Sequence, residues 1–174
     1  GTLAVLAAEW GNAGTFGPMA AGGKALNAFF HVVNARTAGF NAVDLGQVRS
    51  ETLAITNVVM MIGGGSASTA GGIKVSTLVI IVMMVWAEIR GERDANAFGR
   101  RIPHDVQRQA VAIATLAIGF VGIAIVGLLV VTDLPLDVLA FEAVSAFSTT
   151  GLSTGITPRL PASAQAILIL LMFV

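Results

Sequence analysis

The chain has 174 residues, 55% of them hydrophobic and 11% charged, with ten Lys/Arg balanced by ten Asp/Glu and a mean hydropathy of +0.83. Soluble domains carry about 25% charged residues, so too few charges are present to cover a water-facing surface, and zero net charge argues against nucleic acid as a partner. The absence of cysteine excludes disulfide frameworks, thiolate metal sites and Cys nucleophiles, leaving an integral membrane protein as the natural class.

Residues 2–8 form a short apolar run. The opening stretch GTLAVLAAEWGNAGTFG has no positive leader and carries Glu9 among its apolar residues, so it does not read as a signal peptide. The chain starts without Met and closes in the apolar AILILLMFV; both ends read as cut, and the expectation is a piece of a longer membrane protein. Residues 24–44, KALNAFFHVVNARTAGFNAVD, offer a helix-compatible run too short to span, followed by Thr-X-Gly-apolar.

Residues 51–90 are too long for one straight crossing, since about 20 helical residues at roughly 1.5 Å each cover the hydrocarbon core. Two full crossings fail as well. Residues 53–62 are too few for one, and a pair would return Glu51 to the side of Arg90. The remaining reading is a single broken crossing: a half-helix before Gly63, irregular backbone through Gly72, and a second helix over about 73–88.

Residues 91–108 form a connector holding Arg93, Arg100, Arg101 and Arg108, and residues 110–132 are an uncharged run long enough to span. Only acids follow, in DLPLD. The Lys/Arg bias puts residues 90–108 in the cytoplasm, so this helix runs outward. Residues 137–158, DVLAFEAVSAFSTTGLSTGITP, are again too short to span, and an apolar helix starts near Ala164.

The broken stretch consists of Gly63, Gly64, Gly65, Ser66, Ala67, Ser68, Thr69, Ala70, Gly71 and Gly72, with Lys74 just beyond. Irregular backbone at membrane depth survives only where protein buries it or where it lines a water-filled cavity. Glycine permits positive φ and close approach, and a charge such as Lys74 inside an apolar segment usually faces a cavity. A soluble Gly/Ser linker is the plain alternative. A phosphate-binding loop is excluded, because Gly72 is followed by Ile73-Lys74 and not by Lys-Ser/Thr.

The two short units align without gaps at a spacing of 112: Phe29 with Phe141, Val32 with Val144, Thr37 with Thr149, Gly39 with Gly151 and Phe40 with Leu152. The repeating pattern is outward helix, re-entrant half-helix with loop, inward helix. Such repeats commonly place transport sites at their interface. Thr-X-Gly-apolar after a short membrane helix suits cation coordination by backbone carbonyls, with several loops converging to replace hydration water. The half-helix C-terminus contributes partial negative charge, and the apolar residue can pack behind the loop. One triplet is weak; two in register within matching units are not.

In these features the chain resembles the Trk/Ktr/HKT superfamily of potassium transporters: ARTAGFNAVDLG as a third-repeat filter, GGGSASTAGGIK as the broken segment of the next helix, and FEAVSAFSTTGLSTGITP as a fourth-repeat filter. The resemblance covers nearly the whole chain. It implies an all-α membrane fold of helix–re-entrant pore helix–helix units, with residues 1–90 a third repeat, 91–108 the connector and 109–174 a fourth. It implies ion-binding filter carbonyls at Thr37, Ala38, Gly39, Phe40, Thr149, Thr150, Gly151 and Leu152. It also implies a gate loop over residues 63–72 with Lys74, and K⁺ as substrate with no cofactor. The implied partners are the bilayer, the remaining repeats of the same subunit, a homodimer mate and a cytoplasmic nucleotide-binding regulatory subunit. The implied location is multi-pass in the cytoplasmic membrane, filter loops outside. The chain holds two of the family's four repeats, so one copy cannot enclose the expected pore.

Single residues admit two readings each. Glu142 either concentrates cations near the filter or is a buried carboxylate that fixes its helix by hydrogen bonds. His31 reads as structural or interfacial, His104 as solvated, and Asp44, Asp133 and Asp137 as solvated loop carboxylates with a cation-attracting alternative. Lys74 sets the depth of the gate, or else it snorkels or pairs with a carboxylate. Trp10 and Trp86 fit interfacial anchoring. The leading function is potassium uptake. The alternatives are a non-conducting membrane scaffold and an intramembrane serine hydrolase using Ser66 with His31 as base, which needs the two within hydrogen-bond reach.

Overall fold

The computed structural model describes residues 1–65, 71–91, 96–97 and 100–173. Seven α-helices dominate the described structure: α1 (Thr2–Glu9), α2 (Ala21–Asn34), α3 (Ser50–Met61), α4 (Val75–Ile89), α5 (His104–Val131), α6 (Leu136–Phe147) and α7 (Ala162–Met172). Short 3₁₀ turns at Leu45–Gln47 and Thr157–Arg159 precede α3 and α7. Among the described residues, α5 is the one helix long and apolar enough to cross a membrane by itself. Its 28 residues extend about 42 Å at roughly 1.5 Å per residue. α4 and α7 are apolar but shorter.

The helical break expected between residues 63 and 72 is present, α3 stopping at Met61 and α4 resuming at Val75. Two features differ from the sequence reading. α5 starts at His104, six residues ahead of the apolar run, because Pro103 supplies the N-cap φ and Asp105 sits in a favourable first turn. The polar residues thus lengthen the helix beyond its apolar core. The connector also holds a two-residue antiparallel ladder, Asn96–Ala97 with Arg100–Arg101, which no apolar alternation announced.

Helix α6 is the centre of the packing, lying against α3, α5 and α7. Seven of its twelve residues are buried, in an unbroken run from Phe141 to Ala146 together with Leu139. On one side Ala124, Leu128, Leu139, Ala143, Ala146, Ala164 and Leu168 form a single cluster; the alanines let three helices approach closely, as small residues do between membrane helices. On the other side Phe141 and Val144 meet Leu53 and Met60 of α3, Ala35, and Val121 of α5. Helix α2 is one-sided by contrast. It buries Lys24, Ala28, His31 and Asn34 at helical spacing, and leaves Leu26, Phe29, Phe30 and Val33 exposed.

The second cluster joins Ala35, Leu45 and α3 to α5, α6 and Leu152, so its largest member should dominate stability. Phe141→Ala is expected to cost about 3–5 kcal/mol in reversible unfolding of the purified protein in detergent. Leu170→Ala, at an exposed position, should cost within about 0.5 kcal/mol.

Candidate functional site

After α2 the chain turns sharply, the N–H groups of Ala38 and Gly39 both pointing to the Asn34 carbonyl at 3.0 and 3.5 Å. After α6, Thr149 N–H donates to Ala146 O (3.1 Å) and Thr150 N–H to Ser145 O (3.0 Å). These wrapped ends bring Thr37 to φ 71°, Gly39 to 73°, Thr149 to 52° and Gly151 to 84°. Among the described residues, Thr37 and Thr149 are the two non-glycine residues with positive φ. A β-branched residue there is a genuine outlier and costs on the order of 1–3 kcal/mol. Both outliers fall at equivalent positions of the repeat, each two residues before a left-handed glycine.

The two bends touch. A Cβ on Gly39 would lie 2.6 Å from the Thr150 carbonyl oxygen and 3.6 Å from Gly151 Cα, and one on Gly151 would lie 3.8 Å from Gly39 Cα. The equivalence continues past them. The 3₁₀ turns begin at Leu45 and Thr157, and α3 and α7 begin at Ser50 and Ala162, each pair again 112 residues apart.

Hydroxyls hold the second bend from behind. Ser148 Oγ donates to Val144 O at 2.6 Å and lies 3.0 Å from Thr150 Oγ1, while Ser145 Oγ donates to the Leu152 carbonyl. That carbonyl is therefore drawn back toward α6, whereas Thr150 O faces the gap between the bends. Leu152 is buried and packs behind the loop as expected. Its partner Phe40 does not. It is 69% exposed.

Glu142 follows the second of its two sequence readings. Its Oε1 accepts from Ser153 Oγ (2.8 Å), Thr154 N–H (2.9 Å) and Thr154 Oγ1 (3.0 Å), and its Oε2 accepts from Thr157 Oγ1 (2.8 Å). The buried carboxylate clamps the segment leaving the bend onto α6. It also lines a cleft of about 600 Å³ shared with Thr149, Gly151, Gln165 and Met172.

The broken segment is pinned at its neck. Gly63 N–H donates to Ile73 O (2.9 Å), Ile73 N–H to Met61 O (3.0 Å) and Val75 N–H to Gly64 O (3.2 Å), with Ile62 and Ile73 in parallel pairing. The approach is too tight for side chains: a Cβ on Gly63 would be 2.1 Å from Gly71 O, and Gly72 has φ 76°. The returning arm reaches the second bend, where Gly71 N–H donates to Thr149 Oγ1 at 3.2 Å. Ser66, Ala67, Ser68, Thr69 and Ala70 lie outside the described residues. Lys74 is half-buried at the N-cap of α4 and lines a cleft of about 510 Å³ with Gly71, Gly72, Phe120, Phe147 and Thr149.

The other singled-out residues take structural places. His31 Nε2 lies 2.8 Å from Thr56 Oγ1 in a buried pair. His104 is exposed, its Nε2 3.1 Å from Arg101 Nη2. Asp44 accepts from Gly46 N–H at 2.9 Å and shapes the 3₁₀ turn, and Asp137 accepts from Ser50 Oγ at 2.7 Å. Trp10 and Trp86 lie beneath Lys24 Nζ and Arg90, 4.8 and 4.9 Å from the ring centres. Sequence reasoning passed over Glu9 as a buried hub. The available signal was a carboxylate inside an apolar run with Asn12 and Thr15 close behind it.

The family model described as TrkH, cation transport protein, matches residues 2–174. The chain is 37% identical over 172 residues to Ktr system potassium uptake protein B of Bacillus subtilis, covering 99% of this chain and 39% of that protein. It is 37% identical over 174 residues to the protein of the same name from Vibrio alginolyticus, covering 100% of this chain and 38% of the relative. It is also 37% identical over 152 residues to the potassium/sodium uptake protein NtpJ of Enterococcus hirae, covering 85% and 34%. The chain thus spans about two-fifths of the length of the first two relatives. The family and these relatives are transporters, which removes the serine-hydrolase alternative. With the match running from residue 2 to residue 174, the chain belongs to the TrkH cation transport family, within the Trk/Ktr superfamily.

Proposed function

We propose that this chain forms two of the repeats lining a potassium path, and that the protein carrying it takes up K⁺ across the cytoplasmic membrane. The observation that carries the reading is the contact between two equivalent bends, each with a left-handed Thr and a left-handed Gly. Strained backbone held in place by its surroundings is a mark of function, and close-set peptide oxygens can replace the hydration shell of an alkali cation. The C-terminal ends of α2 and α6 lead into the bends and add partial negative charge. The ligand set is the carbonyls of Thr37, Ala38, Gly39, Thr149, Thr150 and Gly151. The filter stretches run on through Phe40 and Leu152, and Leu152 O is engaged by Ser145 and drawn away from the ion.

In this reading α2 and α6 are re-entrant half-helices, residues 1–90 and 109–174 are consecutive repeats, and residues 90–108 face the cytoplasm with the bends on the outer side. Residues 63–72 form a gate loop beneath the filter, its neck pinned and its returning arm bonded to Thr149. Lys74, a cation at the helix end where the dipole disfavours one, sets the electrostatic depth of that gate. Further repeats of the subunit close the pore, and the assembly is a dimer that docks a cytoplasmic nucleotide-binding regulator.

Potassium-dependent growth and labelled K⁺ influx of the intact gene product in an uptake-deficient host test the activity. Absence of any flux would favour the scaffold alternative instead. A methyl at Gly39 would sit 2.6 Å from Thr150 O at positive φ, whereas one at Gly151 has no neighbour nearer than 3.8 Å. Gly39→Ala is therefore expected to reduce K⁺ over Na⁺ preference at least about tenfold, the equivalent of roughly 1.4 kcal/mol, and Gly151→Ala less. Asp at either glycine should abolish selective uptake; unchanged preference would remove the filter assignment.

Shortening residues 63–72 is expected to raise influx by removing the obstruction. Gly71→Ala, whose Cβ would lie 2.7 Å from Ser148 C and O, should act in the same direction. Gly65→Ala, with nothing within 4 Å, should be silent. Equal influx in all of these and the parent would remove the gate role.

A further inference from the structure

Glu9 is fully buried at the end of α1, and nothing in the ion path described above uses it. Its Oε2 accepts from Asn12 Nδ2 at 2.6 Å and from Thr15 Oγ1. Its Oε1 accepts from the Arg49 N–H at 2.9 Å and from Thr52 Oγ1. Arg49 is the N-cap of α3, which makes no side-chain cap bond of its own, and Thr52 lies in its first turn. Glu9 therefore caps α3 from 40 residues upstream, at the end where the helix dipole welcomes a negative charge. Asn12 extends the hold by donating also to Gln47 O at 2.9 Å.

From Thr52 the bonds continue across to α2. Thr56 Oγ1 donates to Thr52 O at 2.6 Å, and His31 of α2 meets Thr56 Oγ1 at 2.8 Å. Helix α2 ends three residues before Thr37, and α3 ends at the neck where Ile62 pairs with Ile73. The second repeat has no counterpart. α7 follows Pro161 without a side-chain cap, the residue equivalent to Thr52 is Ala164, and the clamp there is Glu142 from within α6.

We propose that Glu9 is a positioning residue for the first Thr-X-Gly bend, its four-donor carboxylate setting α3 against α2 and thereby the ion preference at Thr37–Gly39. The inference rests on the ion-path reading above. In Glu9→Gln the amide NH₂ must face either the Arg49 N–H or the Asn12 NH₂. The hydroxyls of Thr15 and Thr52 can turn to accept, but these N–H groups cannot, so one contact between two N–H groups follows in either orientation. Thr52→Val removes one donor without adding bulk.

The experiment compares labelled K⁺ and Na⁺ influx of the intact gene product in an uptake-deficient host, normalised to folded protein in the membrane. Glu9→Gln and Thr52→Val are each expected to shift the K⁺/Na⁺ preference and the apparent KM for K⁺ by about three- to tenfold, the net scale of one lost hydrogen bond. Glu51→Gln, exposed on the same helix, should leave both at parental values. If Glu9→Gln fails to accumulate, Thr52→Val decides. Parental preference and KM in the folded variants, with only abundance or melting temperature altered, would overturn the inference. Absence of K⁺ preference in the parent itself would overturn the ion-path reading, and this inference with it.

Discussion

Two short bends meet where one carbonyl oxygen occupies the space that a side chain on Gly39 would need. That approach requires glycine at one partner and left-handed backbone at four positions, two of them threonines. The resulting strain persists only if the surroundings over-determine it. Much of the remaining structure meets that requirement. α6 is enclosed by α3, α5 and α7, three serine and threonine hydroxyls hold the second bend from behind, and Glu142 fastens the segment that leaves it.

The two repeats reach the same backbone geometry with different scaffolding. In the second, α6 is buried around nearly its whole circumference and carries its own carboxylate clamp. In the first, α2 is held on one face, and the carboxylate arrives from α1 through the cap of the following helix. Phe29 and Phe141 occupy equivalent positions, yet Phe29 is 57% exposed and Phe141 fully buried. A repeat in sequence thus specifies the bend, while the neighbours available to each copy decide what holds it. The exposed face of α2 is apolar, as a surface meeting lipid or further protein would be.

The break between α3 and α4 shows how an apolar segment can be interrupted while the backbone at its neck stays paired. The chain closes its own neck with three backbone bonds around a one-residue parallel pairing, and glycines allow strands to pass at distances that side chains would forbid. The returning arm then bonds Thr149, one of the two strained threonines. That arm meets the second bend through this hydrogen bond and through the close approach of Gly71 to Ser148.

Hydropathy was enough to recognise the long apolar helix α5 and the break between α3 and α4, and the recurring residue pattern the 112-residue equivalence of the two Thr-X-Gly units. Each depends on local composition, or on a pattern that recurs along the chain. The extension of α5 to His104 and the small ladder before it were less legible, since polar residues carry no periodic burial signal there. What only the tertiary structure decided is which bend faces which, that Leu152 packs inward while Phe40 does not, and that Glu142 and Glu9 are clamps with every oxygen engaged. Those outcomes turn on groups separated by up to 112 residues in sequence meeting at hydrogen-bond or van der Waals distance. Residue type states what a carboxylate or a glycine can do, and only the folded chain determines which partner it meets.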